Sequence, residues 1–434
     1  MTTVVHQGLA PSRETLSNGA VVIAKETHTT PAVTISAAFR AGSIYDPPSR
    51  IGLAHFLSRV IDRGTETRSA DDIAEALDGR GVSLMVLVTR HLLTLACTCL
   101  SEDFEPMLDL MGDICMRPTV PEQEVETWRG EIVTSIRQDE DNPAVMAVEG
   151  LMGLLYAGGH PYGRRAKGSV DTVEAISRSD LQSFHRETFT PSSLSLVVVG
   201  DVGTHRVNEQ AARVFGDWPG RAAPDSAVPA PPAAVTRQRL VVPMMNKVQA
   251  DIAYGFVAIA RKDPSYHAFL AMNNVLGQYA LGGRLGDSIR ERQGMAYYVF
   301  SAFEANVGEG PLIIRAGVDP RNVDRAVASI DEELRRLADE GVTSRELTES
   351  KQYLAGSMPR TLETNAGIAA FLQTAESFGL GLDYDVRLPH LINDVTLEEV
   401  NAEARRYLVP DRAALAIAGP YDGGQEAAQP AAGR

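Results

Sequence analysis

A single histidine in a helical segment is the first residue whose type and spacing could serve chemistry. His55 lies within Gly52–Thr65, where apolar residues at positions 53, 56, 57, 60 and 61 repeat with the period of an amphipathic helix. Neither H-x-x-E-H nor H-E-x-x-H, two zinc-binding motifs that helices carry, occurs in the sequence. Because catalytic zinc needs three protein ligands, His55 by itself predicts no metal site. Its structural interpretation is a helix histidine packed under a sheet.

A second candidate is the pair Arg290 and Tyr297. A guanidinium and a phenol can both donate hydrogen bonds to a carbonyl oxygen that is becoming an oxyanion. The spacing alone is a weak signal, because an arginine in a surface ion pair and a tyrosine in a core would give the same pattern. The pair gains weight only from the longer segment around it, L-G-G-R-L-G-D-S-I-R-E-R-Q-G-M-A-Y-Y, which begins at Leu281.

Both segments resemble the pitrilysin/insulinase family of zinc metallopeptidases, especially the branch of the mitochondrial processing peptidases. The segment around His55 is similar to the family's active-site helix, which carries H-x-x-E-H. In that motif two histidines four residues apart bind Zn²⁺, and the glutamate beside the second activates the zinc-bound water. The resemblance covers nearly the whole chain, since Glu124–Asn142, the run His160-Pro-Tyr-Gly163 and the strand ending at Gly200 also fit the family pattern.

The resemblance implies that the zinc half of the site is lost. The motif reads His55-Phe-Leu-Ser58-Arg59, so only the first ligand remains. Ser58 stands where the base should be and cannot accept a proton at neutral pH, while Arg59, at the second ligand position, is a permanent cation that repels a metal. The third ligand position falls on Ser135, with Glu131 one turn earlier as the nearest carboxylate. We therefore expect this chain to bind no metal and no other cofactor.

The resemblance implies that the other half of the site is kept. Arg290 and Tyr297 match the family's C-terminal signature, in which an arginine and a tyrosine face the zinc site and contact the substrate. The family's substrate strand usually continues Asn-Ala where this chain continues Met85-Val86. Backbone hydrogen bonds do not depend on side chains, so a peptide can still add to this strand.

Loss of one half and retention of the other imply a non-catalytic subunit that is inactive alone. A homologous partner with intact H-x-x-E-H would supply zinc and base, and this chain would complete the chamber and supply Arg290 and Tyr297 for peptide hydrolysis. One related bacterial system trims the precursor peptide of the cofactor pyrroloquinoline quinone, and such a peptide is one substrate to consider. Two alternatives stay open: a scaffold or core subunit of a larger complex, and a stand-alone peptide-binding protein or homodimer.

Two internal similarities predict a duplicated domain. Residues 179–202 and 398–421 each combine an amphipathic helix, a proline, a short β-rich run and a glycine. Residues from Val120 and from Val342 form a second similar pair, and the offsets of 219 and 222 residues nearly agree. We predict an α+β fold of two homologous domains, each a largely antiparallel sheet with helices on one side. For the family, this is the LuxS/processing-peptidase-like metallohydrolase fold.

Local patterns predict the elements and boundaries. Strands are expected at Ala20–Lys25 and Ala32–Phe39 and within the β-rich stretch 82–100, and helices at Ser69–Leu77, Phe104–Met116 and Pro121–Gln138. The predicted domains are residues 1–217 and 238–420. They are joined by a Pro/Ala-rich linker at 218–237 and followed by a disordered tail at 421–434.

Composition limits the partners. The net charge of −15 argues against a nucleic-acid partner, because phosphate binding needs clustered Lys and Arg. No apolar run approaches the ~20 residues that span a bilayer, so no membrane partner is expected. Cys97, Cys99 and Cys115 fit no metal or redox spacing and predict buried thiols in a reducing compartment. With no signal peptide apparent at the N-terminus, we expect a cytoplasmic protein.

Overall fold

The computed structural model describes residues 8–220, 222–224, 227–278 and 283–423, and the chain divides into two compact units. Unit 1 comprises Met1–Ile136, Arg165–Ala227 and Ser357–Leu388, and unit 2 comprises Arg137–Arg164, Val228–Gly356 and Pro389–Arg434. Each unit therefore takes segments from both halves of the sequence. Most of the predicted disordered tail, from position 424 onward, lies outside the described residues, as do positions 221, 225 and 226 of the predicted linker.

Unit 1 is built on a six-stranded sheet. Its strands are β1 (Ser12–Thr15), β2 (Val21–Glu26), β3 (Ala32–Phe39), β4 (Met85–Val88), β5 (Leu93–Leu100) and β6 (Ser195–Gly200). They lie in the order β1-β2-β6-β3-β5-β4. Only β2 and β6 pair in parallel, and every other pair is antiparallel. All of β3 after Ala32 is buried, so both faces of the sheet must be covered.

Fourteen α-helices are described in the two units. They are α1 (Leu53–Val60), α2 (Ala70–Asp78), α3 (Phe104–Met116), α4 (Glu122–Glu140), α5 (Pro143–Leu155), α6 (Val170–Ala175), α7 (Arg178–Thr188), α8 (Thr204–Phe215), α9 (Tyr266–Asn273), α10 (Val323–Glu340), α11 (Ser344–Thr361), α12 (Asn365–Ser377), α13 (Tyr384–Asn393) and α14 (Leu397–Tyr407). Within the described residues, no helix is long and apolar enough to cross a membrane.

The two faces of the unit 1 sheet are covered from different parts of the sequence. Alternate residues of a strand point to opposite faces. Val22 and Ala24 of β2 belong to the large core that contains residues of α1, α3, α4, α7 and α8. Ile23 between them packs instead with Ile368 and Leu372 of α12. A helix from the second half of the sequence therefore closes the second face of the first sheet.

Unit 2 repeats this plan with five strands, β7 (Gln238–Pro243), β8 (Ala250–Val257), β9 (Ala296–Phe303), β10 (Pro311–Val318) and β11 (Ala414–Gly419). Their order is β7-β11-β8-β10-β9, and only β7 and β11 pair in parallel. One face packs on α9, α10 and α14, and α5 packs on the other against β8 and β11. Gly255 permits this close approach, because a Cβ there would lie 3.1 Å from Leu151 of α5.

The duplication predicted from sequence is confirmed by the topology. Strands β2, β6, β3, β5 and β4 occupy the same successive positions in the first sheet as β7, β11, β8, β10 and β9 in the second. Helices α5 and α12 also correspond, since their first residues, Pro143 and Asn365, differ by 222 positions. The predicted α+β class is confirmed. The expectation of helices on one side needs an addition, because α5 and α12 each cover the second face of a sheet formed by the other half of the sequence.

The predicted elements lie close to the observed ones. Strand 32–39 and helix 104–116 have the predicted bounds, and the β-rich stretch 82–100 contains β4 and β5. The helix predicted from Ser69 begins one residue later. The reason is that Ser69 is its N-cap: the Ser69 side chain accepts a hydrogen bond from Asp72 N, and the Asp72 side chain accepts one from Ser69 N.

Candidate functional site

A buried carboxylate holds the N-terminus of α1, the helix that carries the degenerate motif. Asp46 is 2% exposed and accepts hydrogen bonds from Gly52 N at 2.7 Å and from Ala54 N at 2.9 Å. Gly52 has a φ of +105°, and a Cβ on it would lie 2.8 Å from Lys167 O, so glycine is required there. The start of α1 is therefore fixed against the turn at Lys167.

The three motif positions on α1 differ in their surroundings. His55 is 8% exposed and lies among the buried residues of the helix. Ser58 is also buried, and its Oγ donates to His55 O at 2.6 Å, so the hydroxyl is satisfied within its own helix. Arg59 is exposed, and its guanidinium carbon lies 5.9 Å from the ring centroid of Trp128 on α4. No carboxylate is present at the position of the base.

The third ligand position is occupied by a hydroxyl that contacts a lysine. Ser135 Oγ on α4 accepts a hydrogen bond from Lys167 Nζ at 2.9 Å. The backbone of the same Lys167 lies against Gly52 at the start of α1. Lys167 was missed in the sequence because it belongs to no motif and is 32 residues from Ser135. The turn at Lys167 thus joins α1 to α4 and places a second cation, besides Arg59, in the region of the lost ligands.

These residues do not fit a zinc ion. Where the family pattern places two histidines and two glutamates, this chain offers one imidazole, two neutral hydroxyls and the Arg59 guanidinium. Lys167 adds an ammonium group that would repel a metal beside Ser135. Throughout the described residues, no group of three or more His, Cys, Asp or Glu side chains is placed to hold a metal ion. No step of a reaction can therefore be assigned to a metal on this chain.

The predicted substrate strand is β4, at the edge of the first sheet next to α1. Met85 and Val86 lie opposite Ala96 and Leu95 of β5. Met85 and Leu87 are 54% and 52% exposed on one face, while Val86 is half-buried. In the part of the chain that the structure describes, β4 pairs with β5 alone, so its other edge keeps backbone groups available for a further strand.

Arg290 lies in a helical segment, Gly286–Arg292, that leads directly into β9. The turn between them is fixed by two backbone hydrogen bonds, Gly294 N to Arg290 O at 3.0 Å and Met295 N to Ile289 O at 3.1 Å. The Arg290 side chain is 44% exposed, and its nearest ion-pair partner, Glu291, is its sequence neighbour at 3.8 Å. The guanidinium therefore lies at the surface of unit 2.

Tyr297 is the second residue of β9, the edge strand of the second sheet, and is 64% exposed. The pairing of β9 with β10 shifts at this point: Tyr298 lies opposite Gly317, and Ala296 lies opposite Val318. Tyr297 is the extra residue of a β-bulge. Ala296 and Val299 are both buried although three residues apart, and only such an extra residue lets both side chains enter the same core.

The three cysteines are buried, as predicted from their apolar surroundings. Burial raises the pKa of Cys97 to about 12 and that of Cys99 to about 11. Burial likewise raises the pKa of the Cys115 thiol. Since the thiolate is the form that attacks carbonyls and binds metals, none of the three can serve as a nucleophile near neutral pH.

The fold and the degenerate motif together define a protein related to zinc peptidases that lacks most of the zinc ligands. The model of Insulinase (Peptidase family M16) matches residues 21–159, and the model of the Peptidase M16 inactive domain matches residues 175–354. The chain belongs to this family, also called the pitrilysin/insulinase family, as the resemblance of its motifs implied.

Relatives match over nearly the full chain. An uncharacterized zinc protease of Mycobacterium tuberculosis is 27% identical over 95% of this chain and 94% of that protein. A non-peptidase homolog of Helicobacter pylori is 24% identical over 88% of this chain and 87% of that protein. The crystal structure of a peptidase M16 inactive domain from Pseudomonas fluorescens is similar with a TM-score of 0.88 and 24% identity, covering 95% of this chain and 98% of that one. This structural similarity establishes the shared fold.

Proposed function

We propose that this chain is the non-catalytic subunit of a two-subunit M16 zinc peptidase. The observation that carries the proposal is the set of side chains at the lost ligand positions. Arg59 brings a cation to the second position, and Ser135 at the third is hydrogen-bonded to the Lys167 ammonium. A homologous partner with intact H-x-x-E-H supplies the zinc and the base. The non-peptidase homolog of Helicobacter pylori supports the view that family members without peptidase activity exist.

In the assembled peptidase, Arg290 and Tyr297 contribute the donors that this chain keeps. Both side chains are substantially exposed, at 44% and 64%, so a partner's substrate can reach them. The guanidinium and the phenol would donate hydrogen bonds to the substrate carbonyl oxygen as it becomes negative during hydrolysis. Arginine is suited to this role because it stays protonated at every physiological pH. The partner would hold the zinc and the base that hydrolysis needs, and this chain would stabilise the charge that develops on the carbonyl oxygen.

The proposed substrate is a peptide bound in extended form. The free edge of β4 offers backbone donors and acceptors for an added strand, and the exposed Met85 and Leu87 offer apolar surface beside it. A cofactor-precursor peptide such as that of pyrroloquinoline quinone is one member of this substrate class. The three unpaired thiols agree with a reducing compartment such as the cytoplasm, where we place the complex.

The test is reconstitution. The chain is purified without chelator, its metal content is measured, and hydrolysis of a fluorescence-quenched peptide library is followed. These assays are repeated with a homologous chain from the same genome that has intact H-x-x-E-H. We expect no stoichiometric zinc and no hydrolysis from the chain alone, and hydrolysis from the mixture at a rate above that of the partner alone.

Two outcomes would overturn the proposal. One zinc per chain that is lost in His55→Ala would show that the degenerate motif still binds metal. Hydrolysis by the isolated chain that persists through repurification would show that it has a catalytic centre of its own. A stable native complex that contains no hydrolase subunit would support the scaffold function instead.

A further inference from the structure

The conformation of the bulge at Tyr297 must be fixed by contacts from outside the bulge, because an extra residue at a sheet edge has no residue opposite it in the neighbouring strand. Tyr297 has one neighbouring strand, β10, and the register shift leaves it without a residue opposite. An unpaired edge residue with a side chain 64% exposed has little packing to fix its direction. A side chain meant to donate to one substrate atom must be fixed to within a fraction of an ångström.

The adjacent residue, Tyr298, reaches across the sheet to a buried carboxylate. Asp251 of β8 lies opposite Gly317 of β10, and Gly317 lies opposite Tyr298. Residues directly opposite in antiparallel strands share a face, so the three positions form one row. Tyr298 Oη donates a hydrogen bond to Asp251 Oδ1. The tyrosine therefore spans the full width of the intervening strand.

Gly317 makes this span possible. A Cβ at Gly317 would lie 2.5 Å from Tyr298 Cε1 and 2.5 Å from Gln249 Nε2, closer than real contacts allow. Because Gly317 has no side chain, the Tyr298 ring can lie across β10 at this position. Gln249 Nε2 also donates to both Asp251 carboxylate oxygens, at 3.0 and 3.1 Å. Asp251 is 3% exposed and is fixed from both sides, so it is a rigid anchor.

The structure assigns to Tyr298, anchored on Asp251 across Gly317, the role of a positioning residue that holds the bulge and directs Tyr297. This inference rests on the proposed function of Tyr297. Tyr298 stays protonated at neutral pH, because burial and the hydrogen bond to Asp251 raise its pKa. Because the Tyr298 hydroxyl is bonded to the buried Asp251, the effect of Tyr298 passes through the backbone of β9.

Three variants of the chain, assembled with the zinc-bearing partner, test this assignment. Tyr298→Phe removes only the hydroxyl. We expect it to lower kcat about tenfold with little change in KM, because misplacement of a donor by about 1 Å reduces turnover more than binding. Asp251→Ala should have the same effect, and Asp251→Asn, which keeps an acceptor oxygen, should restore most of the activity.

The matched control is Tyr254→Phe. It removes another buried hydrogen bond from a tyrosine of the second sheet, that of Tyr254 to Asp331 at 3.0 Å, without touching β9. If Tyr254→Phe lowers kcat as much as Tyr298→Phe, the effect is general loss of packing, and the assignment is wrong.

A double-mutant cycle separates positioning from other causes. In a chain that already carries Tyr297→Phe, adding Tyr298→Phe should change kcat less than twofold, since the residue to be positioned has lost its donor. A full tenfold further loss would overturn the inference. If Tyr297→Phe itself leaves turnover unchanged, the proposed function of Tyr297 fails. If Tyr297→Phe is harmful and Tyr298→Phe is harmless, only the positioning role fails.

A measurement on the isolated chain covers the case in which a variant does not assemble. Hydrogen exchange of the β9 amides should accelerate in Tyr298→Phe and stay unchanged in Tyr254→Phe. Equal exchange of β9 in wild-type and Tyr298→Phe chains would contradict the role of Tyr298 in holding the bulge.

Discussion

The edge strands of the two sheets, β4 and β9, occupy the same position in a duplicated fold and differ more than the strands inside. Strand β4 has four residues in regular register with β5, whereas β9 has eight residues and a bulge at Tyr297. The interior strands β3 and β8 both have eight residues and pair on two sides. An interior strand is constrained by two neighbours and two cores, while an edge strand is constrained by one neighbour. The edges are therefore where the two units can acquire different chemistry.

The same contrast holds between the residues that hold α1 and those that would have bound zinc on it. Asp46 and Gly52 fix the start of the helix, and Phe56 and Leu57 bury its apolar side completely. None of these contacts needs a base at position 58 or a metal ligand at position 59. The fold of unit 1 therefore does not depend on the residues of a zinc site.

The largest expected effect is the difference in turnover between complexes with substitutions in unit 2 and complexes with substitutions in unit 1. Removing one donor to a developing oxyanion costs ~3 kcal/mol, about a hundredfold in rate. Tyr297→Phe or Arg290→Ala should therefore lower the turnover of the assembled complex about a hundredfold, while Ser58→Ala and Arg59→Gln should stay within about twofold. Turnover is measured on complexes isolated by size-exclusion chromatography. Unchanged turnover for both unit 2 variants in an intact complex would mean that the pair is structural.

A second comparison concerns what would restore zinc to unit 1. Arg59→His and Ser135→Glu together replace the two lost ligands and Ser58→Glu restores the base, but Lys167 would form an ion pair with the new carboxylate at 135. We expect that adding Lys167→Met tightens zinc binding at least tenfold, about 1.4 kcal/mol, over the triple variant. Zinc titration monitored by calorimetry measures this. Lys262→Met, a change at an exposed lysine of unit 2, is the control. Equal affinity with and without Lys167 would show that its ammonium does not oppose the metal.

The cap of α1 can be compared with that of α2. Asp46→Ala leaves two backbone N–H groups without their buried acceptor and should cost about 2–3 kcal/mol of unfolding free energy. Ser69→Ala removes the exposed cap of α2 and should cost about 1 kcal/mol. Both tryptophans, Trp128 and Trp218, belong to unit 1, so urea unfolding followed by their fluorescence reports on this unit. A smaller effect for Asp46→Ala than for Ser69→Ala would refute the role assigned to the buried carboxylate.

The last comparison concerns how the stability of unit 1 changes with pH. Burial lowers the pKa of His185 to about 4, although its hydrogen bond to Cys115 O favours the protonated form. The unfolded chain, with a histidine pKa near 6.5, binds the proton first. The stability that neutral His185 provides is therefore complete above about pH 6.5 and is lost as the pH falls toward 4.

Between pH 7 and pH 5 this loss should be about 1–2 kcal/mol in the urea unfolding of unit 1. His185→Gln should reduce it, and His91, whose pKa burial also lowers to about 4, should account for part of the remainder. An identical pH slope in wild-type and His185→Gln chains would exclude His185 as a source of the effect.

Features that depend on neighbours in the sequence were predictable. The apolar period around His55 predicted α1, the helix predicted from Ser69 begins within one residue of α2, and the similarity of residues 179–202 to residues 398–421 revealed the duplication. The absence of a base at position 58 and of a zinc ligand at position 59 was equally visible in the sequence. Whether a helical motif can bind a metal depends on which residues stand at its fixed positions, and those can be read from the sequence.

Three features were decided by the tertiary structure alone. Each joins segments that are far apart in the sequence. They are the packing of α5 and α12 on the sheet formed by the other half of the sequence, the hydrogen bond between Lys167 and Ser135, and the hydrogen bond between Tyr298 and Asp251. The sequence held one sign of the bulge, because the apolar residues Ala296 and Val299 break the alternation of a regular strand. It did not show that Tyr298 would bond Asp251. Periodicity reports which side of an element is apolar. Which distant segment packs against that side depends on the packing of the whole unit. Many apolar faces are equivalent by local sequence, and the entropy of loop closure and the fit of side chains in the core determine which of them pair.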